Sequence, residues 1–342
     1  MIALVKASAA PGAEMQRVPV PEIGPRDVLV RVHTASICGT DLHIYGWDAW
    51  SQSRIHPPLV FGHEFCGHVE RVGGEVEGLK QGDYVSADMH VFCGHCFQCR
   101  SGEAHICQFV KILGVDAPGC FAEFVKIPSA NIVPLEAAIS TDYGAILDPL
   151  GNAVQTVLAG PVAGRSVAIV GCGPIGLMAV AVARASGAGP VFAIEINEYR
   201  RGLARELGAD YVLDPEKDDV AQVVRGHSQG GGADAALEFS GHPDGIHSAF
   251  QIVRPGGRVS LLGIPSKPVA MDLTKDIIFK GLTVQGINGR RLFDTWYQMI
   301  GLLSQKRLAL EPLFTDRLRL SDFKTGMDRL REGRAAKVLL TP

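Results

Sequence analysis

The fold is decided by residues 167–177, which read VAIVGCGPIGL. The apolar start predicts a buried strand, and the glycines that follow form the pattern Gly-x-Gly-x-x-Gly. Pro174 suits the first turn of a helix, so the segment predicts a strand, a tight turn and a helix. Backbone N–H groups at such a helix N-terminus bind pyrophosphate. A dinucleotide site is therefore expected around Gly171, Gly173 and Gly176, although a tight packing corner would use the same residue types.

An acidic residue follows the next predicted strand. Val191–Ile194 ends at Glu195, about 20 residues beyond the turn, where a carboxylate typically binds the adenosine ribose hydroxyls. The same carboxylate repels a 2′-phosphate, which favours NAD over NADP. Arg200 follows about a helical turn later. It either covers the adenine, contacts a phosphate, or is a solvated helix arginine.

Strands and helices alternate from Ser166 onward. Buried apolar strands separated by helices predict a parallel sheet with both faces covered. The predicted helices are 174–186 and 198–207, and the predicted strands are Val167–Val170, Val191–Ile194, Ala235–Phe239, Val259–Leu262 and Leu282–Val284.

Residues before about 150 alternate with the period of strands and contain frequent glycine and proline, which predicts a β-rich unit. A helix capped by Ser140 or Thr141 is expected to continue to Leu158. The expected organisation is a domain at 1–150, a nucleotide-binding domain at 151–289, and a segment at 290–342 that returns to the first domain.

Four cysteines form a compact group in the sequence. Cys93, Cys96, Cys99 and Cys107 follow the spacing C-x2-C-x2-C-x7-C. Four thiolates at this spacing can close a tetrahedral shell around one zinc, and a closed shell stabilises structure without performing chemistry. These residues therefore predict a structural zinc in a lobe that projects from the β-rich unit.

A second, mixed set of ligands precedes that group. Cys38, His63 and Glu64 combine a thiolate, an imidazole and a carboxylate, a set that suits a zinc with one open position. His63 and Glu64 are adjacent, so both reach one metal only if they lie in a loop or bend. Glu64 could instead act as an outer-shell group or exchange with substrate. Asp148 is a further candidate, or it is simply a carboxylate at a helix bend.

Thr40 and His43 follow Cys38 closely. A hydroxyl and an imidazole at this spacing could pass a proton from an alcohol to water. A turn threonine and a surface histidine would give the same pattern.

The composition argues against several classes of protein. The 342 residues have a formal net charge of -3 and no Lys/Arg block, which argues against nucleic acid as a partner. No apolar run reaches about 18 residues, and Met1–Lys6 is expected to be a first strand and not part of a signal peptide. Eight cysteines are too few for a disulfide scaffold, and thiolate ligands must stay reduced, which favours the cytoplasm. The remaining thiols, Cys66, Cys120 and Cys172, are expected to be buried and free.

Together these motifs resemble the zinc-containing medium-chain alcohol dehydrogenase family. The resemblance rests first on Gly62–Gly67, which reads GHEFCG. Within that family, the sequence most resembles the members that oxidise the 3-hydroxyl of L-threonine. This narrower resemblance covers nearly the whole chain. The segments that carry this narrower resemblance are 37–45, Trp47-Asp48-x-Trp50-Ser51, 148–154, 171–177, 197–200, 262–265 and 295–297.

The resemblance implies an α/β protein with a GroES-like β-rich catalytic domain and a Rossmann doubly wound parallel sheet. It implies NAD, two zinc ions per subunit, L-threonine as substrate, 2-amino-3-oxobutanoate as product, and a cytoplasmic homotetramer. Cys38, His63 and Glu64 match the ligands of the catalytic zinc, Thr40 and His43 match the proton relay, and Asp148 matches an acidic position beside the metal. The positions that match residues lining NAD are Ile175, Glu195, Arg200, Leu262, Gly263, Ile264, Ile287 and Asn288.

Some positions depart from that family pattern, and other substrates share its motifs. Glu195 stands where aspartate is expected, Asn288 where some members carry an aromatic residue, and Gln155 where a histidine is expected. The metal and NAD motifs equally suit a polyol or secondary-alcohol dehydrogenase that acts on sorbitol or 2,3-butanediol. A non-catalytic NAD-binding protein is disfavoured because Cys38 and His63 are both intact.

Overall fold

The computed structural model describes all residues from Met1 to Pro342. The chain forms two compact units, which are Met1–Pro149 with Phe314–Pro342, and Leu150–Leu313. The first unit therefore contains both ends of the chain. No helix combines the length and the apolar character that a membrane crossing requires.

The elements are numbered in chain order. Residues 1–158 form β1 (Ile2–Lys6), β2 (Glu14–Arg17), β3 (Asp27–Ser36), α1 (Gly39–Gly46), α2 (Ala49–Arg54), β4 (Leu59–Val60), β5 (Phe65–Val72), β6 (Tyr84–Ala87), β7 (His90–Val91), α3 (Phe97–Arg100), β8 (Lys111–Ile112), β9 (Phe124–Pro128), β10 (Ile132–Pro134), α4 (Thr141–Gly144) and α5 (Leu147–Leu158). Residues 167–304 form β11 (Val167–Val170), α6 (Pro174–Ala185), β12 (Val191–Ile194), α7 (Glu198–Glu206), β13 (Tyr211–Leu213), α8 (Val220–Gly226), β14 (Ala233–Glu238), α9 (Pro243–Ile252), β15 (Val253–Leu261), β16 (Thr283–Gly286) and α10 (Asp294–Ser304). The chain finishes with β17 (Phe314–Arg319), α11 (Phe323–Arg331) and β18 (Lys337–Thr341).

The first unit is built on a seven-stranded sheet in the order β10-β6-β5-β3-β18-β17, with β9 also paired to β3. The last strand, β18, runs antiparallel to β3 and places Leu339 opposite Ser36. A separate sheet of β2, β1 and β4 contains the first strand expected within Met1–Lys6, which the structure places at Ile2–Lys6. The C-terminal strand is therefore an internal part of the sheet that supports the first unit.

The second unit is a six-stranded parallel sheet in the order β13-β12-β11-β14-β15-β16. The chain adds β12 and then β13 on one side of β11, and it then returns to place β14 on the other side. Ligands of open parallel sheets bind beyond the carboxyl ends of the strands at such a switch point. The parallel sheet expected from the sequence is confirmed, and β11 and β12 have the predicted bounds.

The helix expected from Ser140 to Leu158 is two helices, α4 and α5. Ser140 caps only α4, where its Oγ accepts a hydrogen bond from the Tyr143 amide. Pro149 is the third residue of α5, where an N–H has no partner within the helix. A new helix start at Leu147 therefore accommodates the proline that one continuous helix would not.

The segment after residue 290 stays with the second unit as far as Leu313, whereas the sequence placed its return at residue 290. Two contacts explain the later return. Thr295 Oγ1 donates to Gln155 Oε1 at 2.7 Å, and Arg290 Nη1 donates to Asn152 Oδ1 at 3.3 Å. These contacts hold α10 against the start of the second unit.

A buried ion pair joins β18 to the loop before β5. Lys337 and Glu64 are each only 1% exposed. Lys337 Nζ donates to Glu64 Oε2 and, at 3.0 Å, to the Ile37 carbonyl, while Ser36 Oγ also donates to Glu64 Oε2. A buried charge is tolerated when it is paired and hydrogen-bonded in this way.

We expect Lys337→Met to lower the free energy of unfolding by about 3–5 kcal/mol, because it leaves the Glu64 carboxylate buried without its cation. Arg26→Met is the matched control, since Arg26 pairs with Glu75 at 2.7 Å in an exposed position. That exposed pair should contribute less than about 1 kcal/mol. Urea unfolding of both variants measures the two losses. Equal losses would contradict the role assigned to the buried pair.

Candidate metal and dinucleotide sites

Three side chains of the first unit converge on one point. The ligand atoms of Cys38, His63 and Glu64 all lie within 4.8 Å of one another. Cys38 is the N-cap residue of α1, and His63 and Glu64 lie in the loop before β5. Gly62 has a φ of +90°, a conformation that favours glycine, and a Cβ there would lie 2.4 Å from the Phe121 ring. The backbone is therefore not extended at this point, so two adjacent side chains reach the same place.

Unpartnered buried atoms make this point a candidate metal site. His63 Nδ1 and Glu64 Oε1 are buried and have no hydrogen-bond partner. Buried polar atoms without partners are rare in folded proteins. One thiolate, one imidazole and one carboxylate match a zinc with an open position. The residues therefore fit a catalytic zinc, with Glu64 Oε2 held by Lys337 and Ser36.

Two further carboxylates act on His63. Asp41 Oδ1 lies 3.7 Å from His63 Nδ1, and burial raises the pKa of Asp41 to about 6. Burial lowers the pKa of His63, but the charges of Cys38, Asp41 and Asp148 raise it well above its ordinary value. Asp148 is 7% exposed, on the first turn of α5. It is outside the ligand group of Cys38, His63 and Glu64, so the structure places it beside that group.

The two candidate relay residues share α1. Thr40 Oγ1 lies 3.9 Å from Cys38 Sγ, beside the thiolate. His43 is three residues further along, and residues at this spacing lie on one helix face. Its Nδ1 is 2.5 Å from Asp48 Oδ2, a partner that the sequence reading did not assign. The pattern of an aspartate one residue before a helix start could have drawn attention to Asp48.

The four clustered cysteines form a closed group. Sγ–Sγ distances are 3.9 Å for Cys93–Cys99, 3.5 Å for Cys96–Cys99 and 3.8 Å for Cys96–Cys107. Four sulfurs at about 2.3 Å from one zinc would be about 3.8 Å apart. The Cys96 amide also approaches Cys93 Sγ at 3.3 Å, and a hydrogen bond from the Cys99 amide helps to lower the pKa of Cys96 to about 6. The group thus fits a structural zinc, and backbone donors stabilise the thiolate of Cys96.

The three remaining thiols are buried and free, as expected. Burial raises the pKa of Cys66 to about 12. These thiols are therefore packing residues without thiolate character.

The glycine turn of the second unit has the geometry of a phosphate-binding turn. Gly171 has a φ of +88°, and a Cβ at Gly176 would lie 2.0 Å from the Gly171 carbonyl oxygen. In contrast, a Cβ at Gly173 would meet no atom within 4 Å. Gly173 is the N-cap of α6, so its open side exposes the helix N-terminus to a ligand. The first and third glycines permit the turn, and the second leaves space for a pyrophosphate.

Glu195 and Arg200 lie beside this turn. Glu195 accepts hydrogen bonds from the amides of Cys172 at 2.7 Å and Asn197 at 2.9 Å, one on each oxygen. Each carboxylate oxygen retains a lone pair for a ribose hydroxyl. Arg200 Nε is buried without a hydrogen-bond partner, which favours the interpretation of Arg200 as a ligand-facing residue over that of a solvated one.

A cavity of about 540 Å³ lies at the switch point between β11 and β14. Gly171, Gly173, Glu195 and Arg200 line it, which brings these predicted residues together. Residues after β14 that the sequence did not identify also line it, namely Phe239, Ser240 and His242. Their position after a parallel strand was the available signal, since the carboxyl ends of such strands share one edge.

Other predicted NAD residues do not line this cavity. Leu262, Gly263 and Ile264 follow β15, and Ile287 and Asn288 follow β16, so they lie beyond the carboxyl ends of the next strands. The amides of Leu262 and Gly263 bond to the Glu238 carbonyl oxygen, and Ile264 is 91% exposed. Ile175 is half-buried in the first turn of α6.

A larger depression of about 830 Å³ is lined by Ser166, Pro190 and Asp234, where the strands of the same sheet begin. Dinucleotides bind at the opposite edge of such sheets. The smaller cavity is therefore the dinucleotide candidate.

Known protein families match both units. The family described as "Alcohol dehydrogenase GroES-like domain" matches residues 24–137, and the family described as "Zinc-binding dehydrogenase" matches residues 174–305. The first match contains the whole of both metal-ligand groups. The second contains the glycine turn from Pro174 onward, Glu195 and Arg200.

Individual proteins match over the full length. The chain is 51% identical to L-threonine 3-dehydrogenase of Bacillus licheniformis over 342 residues, covering 100% of this chain and 99% of that protein. It is 49% identical to L-threonine 3-dehydrogenase of Symbiobacterium thermophilum over 346 residues, covering 100% and 98%. Among solved structures, 2R,3R-butanediol dehydrogenase from Bacillus subtilis superposes with a TM-score of 0.91 at 29% identity, covering 100% and 99%. These matches confirm the resemblance and the GroES-like and Rossmann fold expected from the sequence.

The two cysteine-containing groups should respond differently to the same substitution. Cys38→Ser should abolish NAD-dependent alcohol oxidation and leave the thermal midpoint nearly unchanged, because the open group is expected to bind the substrate. Cys96→Ser should lower the thermal midpoint or the folded yield, because a closed zinc site contributes folding energy. Elemental analysis should find one zinc fewer per chain in each variant. If Cys38→Ser lowered stability and Cys96→Ser abolished activity, the catalytic and structural assignments would have to be exchanged.

Proposed function

The chain belongs to the zinc-containing medium-chain alcohol dehydrogenase family, and on that premise we propose that it is an NAD-dependent L-threonine 3-dehydrogenase. It would oxidise the 3-hydroxyl of L-threonine to a ketone, giving L-2-amino-3-oxobutanoate. The proposal is supported above all by the convergence of Cys38, His63 and Glu64 in a chain about half identical to relatives with that activity. The match covers 100% of this chain and 99% of the first of these relatives.

Cys38, His63 and Glu64 would hold the catalytic zinc. A bound zinc ion lowers the pKa of a coordinated alcohol and so favours its deprotonation. The protein's contribution is to fix the ligands. Gly62 bends the loop so that His63 and Glu64 face one point, and Lys337 and Ser36 hold one oxygen of Glu64. Asp148 adds negative charge beside His63.

Thr40 and His43 would move the proton of the alcohol to solvent. Thr40 lies next to Cys38, so its hydroxyl can accept the proton of the alcohol while it donates its own. His43 follows on the same helix face, and its side chain is 60% exposed, so it can release a proton to water. The relay would leave a negative charge on that oxygen, and hydride would depart from the carbon that bears it.

The second unit would bind NAD, which supplies the acceptor for that hydride. The N-terminus of α6 would hold the pyrophosphate, and Glu195 would accept from the adenosine ribose hydroxyls. Arg200 would contact the adenine or a phosphate. We place Ile175, Leu262, Gly263, Ile264, Ile287 and Asn288 toward the nicotinamide end, since most of them follow the next strands along the same edge.

A second candidate is oxidation of a secondary alcohol or polyol. It is favoured by the close superposition on a 2R,3R-butanediol dehydrogenase. The identity to that protein is 29%, against 51% to a threonine enzyme, so threonine is the better-supported substrate.

Initial rates with L-threonine, 2,3-butanediol and sorbitol, each with NAD, test the substrate. We expect kcat/KM to be highest for threonine by at least tenfold. A preference for butanediol or sorbitol would overturn the threonine proposal while leaving the metal chemistry intact. D-threonine is the matched control, because it carries the same functional groups with inverted stereochemistry.

Glu195→Ser should weaken NAD binding and reduce the discrimination against NADP, because it removes both the ribose acceptor and the charge that repels a 2′-phosphate. Dissociation constants for both cofactors measure the effect. Glu206→Ser on α7 is a matched control at an exposed position and should change neither. Unchanged affinities in Glu195→Ser would exclude Glu195 from the cofactor site.

The environment and assembly are part of the same proposal. All eight cysteines are free, and thiolate ligands need reducing conditions, which supports a cytoplasmic location. We further propose a homotetramer. Its support is the open sheet edge at β16, with Val284 38% exposed, together with the exposed Ile278 and Phe279, since apolar surface of this kind is typical of subunit contacts.

A further inference from the structure

His43 and Asp48 form a close pair outside the metal ligands. His43 Nδ1 lies 2.5 Å from Asp48 Oδ2, while Asp48 Oδ1 accepts from the Ser51 amide at 3.0 Å. Oδ2 therefore contacts the imidazole, and Oδ1 caps the N-terminus of α2. The ring of Trp50 packs edge-on against the His43 ring with centroids 6.1 Å apart. The imidazole is thus held by one polar and one aromatic contact.

An unusual turn brings Asp48 back to His43. Trp47 has a φ of 58° and a ψ of 47°, the left-handed conformation that is uncommon for a residue other than glycine. Its amide donates to the His43 carbonyl at 2.9 Å and ends α1. The buried Lys6 supports the turn, because its Nζ lies 4.7 Å from the centre of the Trp47 ring. A strained conformation that its surroundings hold in place is often found at functional sites.

We propose that Asp48 is the positioning residue of the proton relay, which sets the tautomer and orientation of His43. This proposal rests on the proposed dehydrogenase function and extends the relay by one group. A carboxylate at Nδ1 requires the proton of a neutral imidazole to be on Nδ1. The lone pair is then on Nε2, which is the nitrogen left to accept the proton relayed from Thr40.

The proton balance follows from this arrangement. The alcohol gives its proton to the Thr40 oxygen, and the hydroxyl proton of Thr40 passes through an intervening water or hydroxyl group to His43 Nε2. The imidazole, now carrying protons on both nitrogens, is stabilised by the Asp48 carboxylate. It then releases the Nε2 proton to water, and the hydride of the same alcohol carbon passes to NAD. Asp48 keeps its charge throughout and touches no substrate atom.

The electrostatics of Asp48 agree with this role. Partial desolvation raises the pKa of Asp48, but hydrogen bonds from the Ser51 amide and from His43 bring it below its ordinary value. The carboxylate is therefore ionised across the neutral range and available as an acceptor.

Two substitutions distinguish the role of Asp48 as N-cap of α2 from its role as partner of His43. Asp48→Ser keeps a good N-cap for α2 but is too short to reach His43. Asp48→Asn keeps the length, but with its amide oxygen on Ser51 it presents an N–H group to Nδ1, which forces the opposite tautomer. Asp219→Ser is the matched control, because Asp219 caps α8 through the same contact, accepting from the Gln222 amide at 2.9 Å.

We expect Asp48→Ser and Asp48→Asn to lower kcat by about 10- to 100-fold with KM for the alcohol changed less than threefold, within the range for loss of proton-transfer assistance. Asp219→Ser should stay within twofold of wild type. His43→Gln and the double variant His43→Gln/Asp48→Ser should have the same kcat, because Asp48 acts only through His43. Losses that multiply in the double variant, or a kcat for Asp48→Ser within twofold of wild type, would overturn the proposal.

A second readout does not depend on the substrate. Nitrogen NMR of histidine-labelled protein, with the signal assigned by its absence in His43→Gln, should find the neutral His43 proton on Nδ1 in wild type and on Nε2 in Asp48→Asn. The same tautomer in both proteins would refute the positioning role. If wild type oxidises butanediol but not threonine, the substrate proposal fails, and the kinetic comparison is made on butanediol with the same expected losses.

Discussion

Glu64 is a buried carboxylate whose two oxygens have different surroundings. Oε2 accepts from Lys337 and Ser36, whereas Oε1 is buried without a partner, and the Glu64 carboxylate lies within 4.8 Å of the ligand atoms of Cys38 and His63. The last strand of the chain, through Lys337, therefore stabilises a charge that the metal site requires. An isolated carboxylate at this depth would be costly. The C-terminal segment must return to the first unit for the candidate zinc site to exist in this form.

The two candidate zinc sites differ in their ligands, and the ligands indicate which site is structural and which is catalytic. Cys93, Cys96, Cys99 and Cys107 present only sulfur, at distances that close a tetrahedron. Cys38, His63 and Glu64 provide three ligands of different kinds and leave a position for an alcohol. Thr40 and His43 accompany only the second group, which is where a proton must be removed. The surroundings of each group thus agree with its ligands.

Local patterns made much of this molecule predictable. Val167–Val170 with the glycine turn and Pro174 gave one strand, one turn and one helix start, because each feature is encoded by adjacent residues. The three-residue strand β13 escaped prediction, since a short strand has too little periodicity to recognise. The pairing of Lys337 with Glu64 joins residues 273 positions apart, so no local pattern could reveal it. Asp48 was visible as a helix cap, but its contact with His43 depends on the left-handed turn at Trp47.

The most direct test is a crystal structure of the zinc-loaded protein with NAD and L-threonine. We predict a metal with Cys38 Sγ at about 2.3 Å and a nitrogen of His63 at about 2.1 Å, with the 3-hydroxyl of threonine in the open position. The nicotinamide ring should then lie against the carbon that bears this hydroxyl. A metal-free Cys38, or threonine bound with its hydroxyl away from the metal, would contradict the central claim.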